Sequence, residues 1–272
     1  YLIAIPFKIM PYNETIILMN YILMVSSIIP LYKISLLYNN SKSFGIFISA
    51  IFLWYTSFQY IVLYEFEMLR FSIPTLLWML YFWDIKKIKL YYLFVFFALF
   101  IREEMGLVIF LFGLYLFLFN KKYNDGIITS LIGLAGFFII TNIIMPSLRG
   151  DEYQHIGIGF FSSLGGTIDD VIINIFTKPI FVLKKVFDPN MNLIIIFTNI
   201  FMFFLPLLFI PLLSIKRLLP ILAPLGIGLL SGHGNLTSYM LYYCSAIIPF
   251  LFYSFINSWP KFVSIISAAH KK

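Results

Sequence analysis

Three consecutive charged residues, Arg102, Glu103 and Glu104, interrupt a nearly continuous apolar stretch at residues 90–119. Each charge costs roughly 2.5–3.5 kcal/mol at the centre of a bilayer, and ionisable groups at that depth usually line a cavity that serves a ligand or a proton relay. Because successive helical positions point about 100° apart, we expect one carboxylate to face a cavity while Arg102 holds the other. A hairpin tip that simply returns to water is the alternative explanation.

A second polar group, Glu65, Glu67 and Arg70, lies where the second long apolar run gives way to the third. Glu67 and Arg70 are three residues apart, so they are equally well explained as a surface ion pair on one helix face. We weigh a ligand site and a simple ion pair evenly for this group.

Two further polar segments carry histidine. In RGDEYQH, Arg149 precedes Asp151 and His155, whose i, i+4 spacing suits two ligands of one divalent metal ion. An ordinary polar loop is favoured there because a third ligand is missing. His233 has a glycine on each side and suits phosphate contact or proton transfer, with a solvated loop histidine as the alternative.

The composition defines the class of protein that must position these residues. Of the 272 residues, 61% are hydrophobic and only 11% are charged, whereas soluble domains average about 25% charged. Apolar runs that approach the roughly 20 residues of a membrane-spanning helix recur throughout, unlike the short alternating segments of a barrel. We therefore predict an all-α polytopic membrane helix bundle of about eight to nine apolar helices, forming a single transmembrane domain over residues 1–272.

Charge and cysteine content exclude several other classes. The net charge of +7 comes from Lys and Arg in small groups between apolar runs, which indicates membrane topology and not nucleic-acid binding. The single cysteine, Cys244, excludes a disulfide framework and a cysteine-based metal site. Zinc-peptidase, hydrolase-elbow and nucleotide-loop motifs are absent from the sequence.

The topology depends on whether residues 90–119 form one helix or two. One helix would be about 45 Å long against a hydrocarbon core of about 30 Å and would bury the three charges near mid-membrane. A hairpin broken at the charges agrees better with the positive-inside rule. That hairpin places the following basic residues, and the C-terminus, in the cytoplasm: Lys33, Lys42, Lys86, Lys87, Lys89, Lys121, Lys122, Lys216, Arg217, Lys261, Lys271 and Lys272.

All four polar groups then open on the external face of the cell membrane. The long connector at residues 146–190 follows the same face, and its 168–187 part mixes apolar residues with aspartates and lysines. We predict one or two amphipathic helices, split at Pro179, that lie in the outer membrane interface. A helix that packs against the protein core is the alternative.

Three blocks of the sequence resemble the DUF2079 predicted membrane proteins, a group related to the GT-C superfamily of multi-spanning glycosyltransferases. They are EFEMLRFSIPTLLWMLYFW at 65–83, ALFIREEMGLVIFLFGLYLFL at 98–118 and YYCSAIIPFLFYSFI at 242–256. The basic-acid-acid-x-Gly-Leu block of the family falls on 102–107. Its Phe-His pair falls on Phe66 and Glu67, and its His-Tyr pair falls on Tyr242 and Tyr243, so both histidines are replaced here.

The resemblance implies an enzyme that uses a polyprenyl-phosphate sugar donor in a cavity open to the external face and the bilayer. Glu65, Glu67, Glu103 and Glu104 are then candidate catalytic carboxylates that deprotonate the acceptor hydroxyl or hold a divalent metal ion. Candidate groups for binding the departing phosphate are Arg70, Arg102, Arg149 and His233, with Asp151 and His155 as a weaker metal site. GT-C enzymes also use an acidic first external loop, which the resemblance places before Tyr1.

Three functional hypotheses follow from these observations. The first is a GT-C-like transferase of lipid-linked sugars, with membrane lipids and the donor as its partners. The second is a transporter or flippase, because buried carboxylates and arginines equally suit ion-coupled transport. The third is a non-catalytic membrane subunit of a larger complex, which the replaced histidines favour.

Overall fold

The computed structural model describes residues 8, 10–64, 67–149, 161, 163–165, 168–187, 193–231 and 234–269, which form helices and turns without a β-strand. The α-helices within these residues are α1 Asn13–Ser26, α2 Ile28–Asn39, α3 Lys42–Trp54, α4 Thr56–Leu63, α5 Ser72–Asp84, α6 Ile88–Leu99, α7 Met105–Leu118, α8 Tyr123–Ile139, α9 Met145–Arg149, α10 Ile168–Thr177, α11 Pro179–Val186, α12 Leu193–Phe204, α13 Leu222–Ser231 and α14 Ile247–Ala269. This confirms the all-helical prediction for the described part of the chain.

Three helical stretches among the described residues are long and apolar enough to cross a membrane: Glu14–Asn39, Tyr123–Leu148 and Ile210–Ser231. Helices α3 and α4 are together apolar and long enough for a fourth span, although the chain bends by 54° between them at the non-helical Tyr55. Other apolar helices are shorter: α6 and α7 have 12 and 14 residues, about 18 and 21 Å. Fewer spanning helices are therefore seen than the eight or nine expected.

The stretch at residues 90–119 is a hairpin, as predicted. Helix α6 ends at Leu99 and α7 begins at Met105, so no single rod crosses the charges. The two helices fold back on each other, since Tyr91 and Phe112 lie on either side of the turn with ring centroids 6.3 Å apart. The expectation of a charged turn at the tip of two short arms is confirmed.

Close packing of α7 on α8 holds the second arm of this hairpin. Glycines lie along the contact: a Cβ on Gly106 would lie 2.7 Å from the Gly133 carbonyl oxygen, and one on Gly113 would clash with the Ser130 backbone nitrogen. Only hydrogen fits at these positions, as in other membrane helix pairs whose backbones approach closely. The packing fixes the position of Met105, the residue that follows the acidic turn.

Two broken helices, Leu205–Leu207 and Ile210–Ile221, precede α13 and wind as 3₁₀ turns. Pro206, Pro211 and Pro220 remove backbone donors, so some carbonyl groups lose their helical partners. Ser254 on α14 donates its hydroxyl to the carbonyl oxygens of residues 211 and 214, at 2.7 and 3.1 Å. The largely buried N-terminal half of α14 thus supports the irregular segment.

The connector after α8 differs in part from the expectation. The long helix continues through a π-helical turn, Ile140–Ile144, and into α9, so helical structure extends to Arg149. Beyond it, α10 and α11 are two helices separated at Lys178 and Pro179, which confirms the predicted split.

The bundle has two polar ends, separated by α5, whose 13 residues span about 20 Å. We name them the Arg102 end, where α5 begins, and the Asp84 end, where it finishes. Two lysines lie towards the Asp84 end. Lys33 lies over the rings of Trp78 and Tyr81, and Lys216 lies over the ring of Phe119. Both lysines therefore lie at the end opposite the acidic turn.

Candidate functional site at the Arg102 end

The acidic turn at residues 101–104 places one guanidinium against two carboxylates. Arg102 Nε lies 3.6 Å from Glu104 Oε2 and 3.9 Å from Glu103 Oε1. The side chains are only 12% exposed for Glu104 and 15% for Glu103. The expectation that Arg102 holds only one of the two carboxylates is wrong, because these residues form a turn and not a helix, and Arg102 lies near both.

Two tyrosines from a distant part of the chain complete this turn. The Arg102 guanidinium carbon lies 5.3 Å from the ring centroid of Tyr243, a cation–π distance. Tyr242 donates its hydroxyl to the hydroxyl of Tyr243 at 2.9 Å, and its own ring lies 5.4 Å from that of Tyr64. The 3₁₀ turn Tyr242–Cys244 thereby forms an aromatic wall beside the carboxylates.

Glu67 and Arg70 approach the same place from the start of α5. Their 3₁₀ turn, Met68–Phe71, contacts the turn that carries Tyr242. Glu67 accepts a hydrogen bond from the Met68 backbone at 3.0 Å. Burial lowers the pKa of the Arg70 guanidinium, and the charge of Glu67 opposes that shift. Arg70 is wholly buried and donates from Nη2 to the Tyr64 carbonyl oxygen at 3.0 Å. It holds Tyr64 in position, whereas contact with a phosphate stays a prediction.

The electrostatics single out Glu104 as the group best suited to exchange a proton. Burial raises the pKa of the Glu104 carboxyl to about 7; Arg102 opposes this shift, while the charges of Glu103 and Glu67 add to it. A carboxyl group with a pKa near neutrality is well matched to general base catalysis. The same interaction shows that Glu67 lies within electrostatic reach of Glu104.

Several predicted site residues fall outside the residues that the structure describes. These are Glu65, Asp151, His155 and His233, and Arg149 ends α9 with a side chain outside the description. Their proposed roles stay predictions. Conversely, Tyr64, Tyr242 and Tyr243 belong to the site although the residue types gave no reason to choose them; only the position of the family's His-Tyr pair pointed to two of them.

The residues of the acidic turn do not fit a divalent metal ion well. Arg102 already places its positive charge against both carboxylates, where it would repel a cation. Within the described ranges, no group of three His, Cys, Asp or Glu side chains is arranged to hold a metal. The turn is instead an arginine-paired acid, a combination that suits proton transfer.

Apolar helices long enough to cross a membrane, together with an acidic, arginine-bearing turn, are the features of an all-α membrane protein. The family model described as "Predicted membrane protein (DUF2079)" matches residues 1–271, so the chain belongs to that family. Neither the curated proteins nor the solved structures include a significant match. The three blocks that carry the family resemblance are brought together in space at Glu67, at residues 102–104 and at Tyr242.

Proposed function

We propose that this protein is a GT-C-like membrane glycosyltransferase that transfers a sugar from a polyprenyl-phosphate donor at the external membrane face. The observation that supports this proposal is the convergence of Glu104, Arg102, Glu67 and the Tyr242–Tyr243 pair from three separate parts of the chain. Carboxylates bind sugar hydroxyls or accept protons, guanidinium binds phosphate, and tyrosine rings pack on the apolar face of a sugar. The choice of a lipid-linked donor rests on the family resemblance.

In the proposed reaction, Glu104 accepts the proton of the acceptor hydroxyl as that oxygen attacks the anomeric carbon of the donor sugar. The new carbon–oxygen bond forms as the bond to the phosphate oxygen breaks, and the electron pair leaves with the polyprenyl phosphate. Arg102 stabilises the negative charge that develops on the phosphate. The products are the glycosylated acceptor and polyprenyl phosphate.

The proposal includes a multi-spanning arrangement in the cell membrane with a cytoplasmic C-terminus. Helices α6 and α7 are shorter than the hydrocarbon core, so the hairpin tip lies below the outer surface if the Asp84 end lies at the cytoplasmic boundary. The basic residues near the Asp84 end support that orientation. A tip at this depth is reachable by the phosphate of a donor whose chain stays in the bilayer.

The test is sugar transfer by purified full-length protein in lipid nanodiscs. Polyprenyl phosphates carrying glucose or mannose serve as donors, and the release of free polyprenyl phosphate is measured. We expect Glu104→Gln to lower the rate by about 10²–10⁴-fold, the usual contribution of a general base. Glu103→Gln is expected to have a smaller effect.

Glu14→Gln is the matched control, because it makes the same chemical change at an exposed position on α1. Equal rates for the wild type and both turn variants would remove these carboxylates from the mechanism. If no donor is turned over while anionic solutes cross the membrane of proteoliposomes, the transporter hypothesis replaces this one. Activity only after a second membrane subunit is added would support the non-catalytic subunit hypothesis.

A further inference from the structure

Helices α10 and α11 each expose large apolar side chains, which together we call the apolar stripe. Within each helix neighbouring members are three or four residues apart, as on one helix face, and each is more than half exposed: Ile173, Phe176, Ile180, Leu183 and Phe187, with Phe176 at 81% and Ile180 at 70%. Soluble surfaces rarely leave large apolar side chains exposed in such a row. The stripe therefore indicates a contact surface.

The other side of the same two helices faces the protein. Val182 is only 8% exposed, and α11 packs on α13. Asn174 on α10 donates its side-chain amide to the Leu164 carbonyl oxygen at 2.7 Å. Because these contacts fix which face of the helices points inward, the apolar stripe points outward.

Lysines lie along the α11 part of the stripe. Lys178 and Lys184 are exposed and Lys185 is half-buried. An apolar stripe bordered by lysines is typical of helices that lie in a membrane interface, where the ammonium groups reach phosphate headgroups while the apolar side chains enter the acyl boundary.

We propose that α10 and α11 lie flat on the membrane surface at the Arg102 end and bind anionic lipid headgroups. Two observations favour lipid over a protein partner. The lysines complement phosphate, and α11 packs on α13, which belongs to the candidate span Ile210–Ser231. The position at the Arg102 end follows because the turn after α13, Gly234–Thr237, contacts the turn that carries Tyr242.

The test uses nitroxide labels on the full chain in nanodiscs of phosphatidylcholine alone or mixed with phosphatidylglycerol. Cys244 is the single cysteine, so a Cys244→Ala background accepts one label at a time; if that background is unstable, native Cys244 is kept, because it is buried. The labelled positions are Phe176→Cys and Leu183→Cys. Depth is measured from collisions with oxygen, which concentrates in lipid, and with a water-soluble nickel complex.

Two control positions bracket the expected depth. Leu131 is 61% exposed on the span Tyr123–Leu148 and marks the acyl core, while the exposed Lys122, in the connector before that span, marks water. We expect both stripe labels to lie between these controls and to move deeper in the anionic nanodiscs. Replacing Lys178, Lys184 and Lys185 with Gln should abolish that shift and leave the depth in phosphatidylcholine unchanged.

Three outcomes would overturn the proposal. Nickel collision rates equal to those at Lys122 would show that the stripe faces water. Low collision rates with both reagents would show that protein covers it. A depth that is the same in both lipid mixtures, or a shift that survives the triple lysine change, would overturn the recognition of anionic headgroups.

Discussion

The two ends of the bundle contain chemically similar clusters that are built differently. The Arg102 cluster has an arginine 5.3 Å from a tyrosine ring, and the Asp84 cluster also has one, Arg217, 5.7 Å from the ring of Tyr253. At the Asp84 end the carboxylate is bound by neutral hydroxyl groups: Tyr38 and Tyr253 each donate to Asp84 Oδ1 at 2.9 Å. At the Arg102 end the carboxylates instead face the arginine at 3.6 Å or more.

This difference indicates that the Asp84 cluster is a structural contact and that the Arg102 cluster is available to a ligand. One oxygen of Asp84 joins α2, α5 and α14 through short hydrogen bonds, and the two tyrosine hydroxyls lie 3.2 Å from each other. Buried networks of this kind stabilise one arrangement of helices. In the acidic turn the arginine–carboxylate distances of 3.6 and 3.9 Å are longer than the 2.9 Å hydrogen bonds to Asp84, and Arg102 is 30% exposed. The groups of the turn can therefore exchange partners when a ligand binds.

The largest expected difference between the two clusters concerns their arginines. We expect Arg102→Met to lower the turnover of a polyprenyl-phosphate donor by about 10²–10³-fold, because a group that stabilises developing charge contributes roughly 3–4 kcal/mol to the transition state. Arg102→Lys should recover part of this loss, since it keeps the charge without the planar fork. Initial rates in nanodiscs measure the effect.

Arg217→Met is the matched variant at the Asp84 end. We expect it to lower thermal stability while the folded protein keeps wild-type turnover. A similar loss of turnover in both arginine variants would break the comparison and give the Asp84 cluster a functional role, as the transporter hypothesis requires.

The Asp84 cluster should have the larger effect on stability. Asp84→Ala removes the acceptor of two buried tyrosine hydroxyls, and each buried group left unsatisfied costs about 1–3 kcal/mol. We expect a loss of about 2 kcal/mol in the free energy of unfolding, because Tyr38 and Tyr253 can still bond to each other. Unfolding in detergent monitors this change.

The exposed Glu14→Ala serves as the control for Asp84→Ala and should leave stability unchanged. Unaltered unfolding of Asp84→Ala, or a loss equal to that of Glu14→Ala, would show that the tyrosine hydrogen bonds do not hold these helices together.

The sequence predicted the acidic turn because its signal is local. Three adjacent charges in an apolar run imply a helix break, and the break at residues 100–104 follows from the cost of burying charge. The split at Pro179 was predictable for a similar reason, since proline disfavours continuation of a helix. Both features depend on residues that are close in the chain.

The Asp84 cluster could not be predicted in this way. Its contacts join residues 46, 169 and 215 positions apart, so no local pattern around Asp84 indicates them. The same limit applies at the Arg102 end, where Tyr243 comes from a turn far along the chain. The expectation that Arg102 holds only one of Glu103 and Glu104 was wrong because the charges themselves end the helix, so helical periodicity does not apply to them.

Replacing Gly106, the glycine of the family block, tests whether helix packing positions the acidic turn. A Cβ on Gly106 would lie 2.7 Å from the Gly133 carbonyl oxygen and 2.8 Å from the Phe137 backbone nitrogen. We expect Gly106→Ala to cost about 1–3 kcal/mol of stability through overpacking and to lower donor turnover, because Glu104 is two residues away. Gly226→Ala is the control, since no heavy atom lies within 4 Å of its added Cβ. Equal stability of the two variants would show that close α7–α8 packing does not fix the turn.

The smallest expected effect is the dependence of stability on pH that Glu104 contributes. Burial raises the pKa of Glu104 to about 7 from an ordinary value of 4.5, so the folded protein binds a proton more readily than the unfolded chain. The stabilisation from that proton is complete below pH 4.5 and is lost as the pH rises through 7.

Glu104→Gln replaces the carboxyl with a neutral amide, so the variant avoids the cost of a buried negative charge. We expect it to unfold like the wild type at pH 5 and to be more stable by about 1 kcal/mol at pH 8, a value below the full shift because Glu104 is 12% exposed. Thermal unfolding at both pH values measures this difference, with the exposed Glu14→Gln as the control. If Glu104→Gln were less stable than the wild type at pH 8, the carboxylate would be a structural partner of Arg102, and the contrast with the Asp84 cluster would fail. A gain in stability with a loss of transfer would instead show that the fold accepts an unfavourable charge at this turn because the reaction requires it.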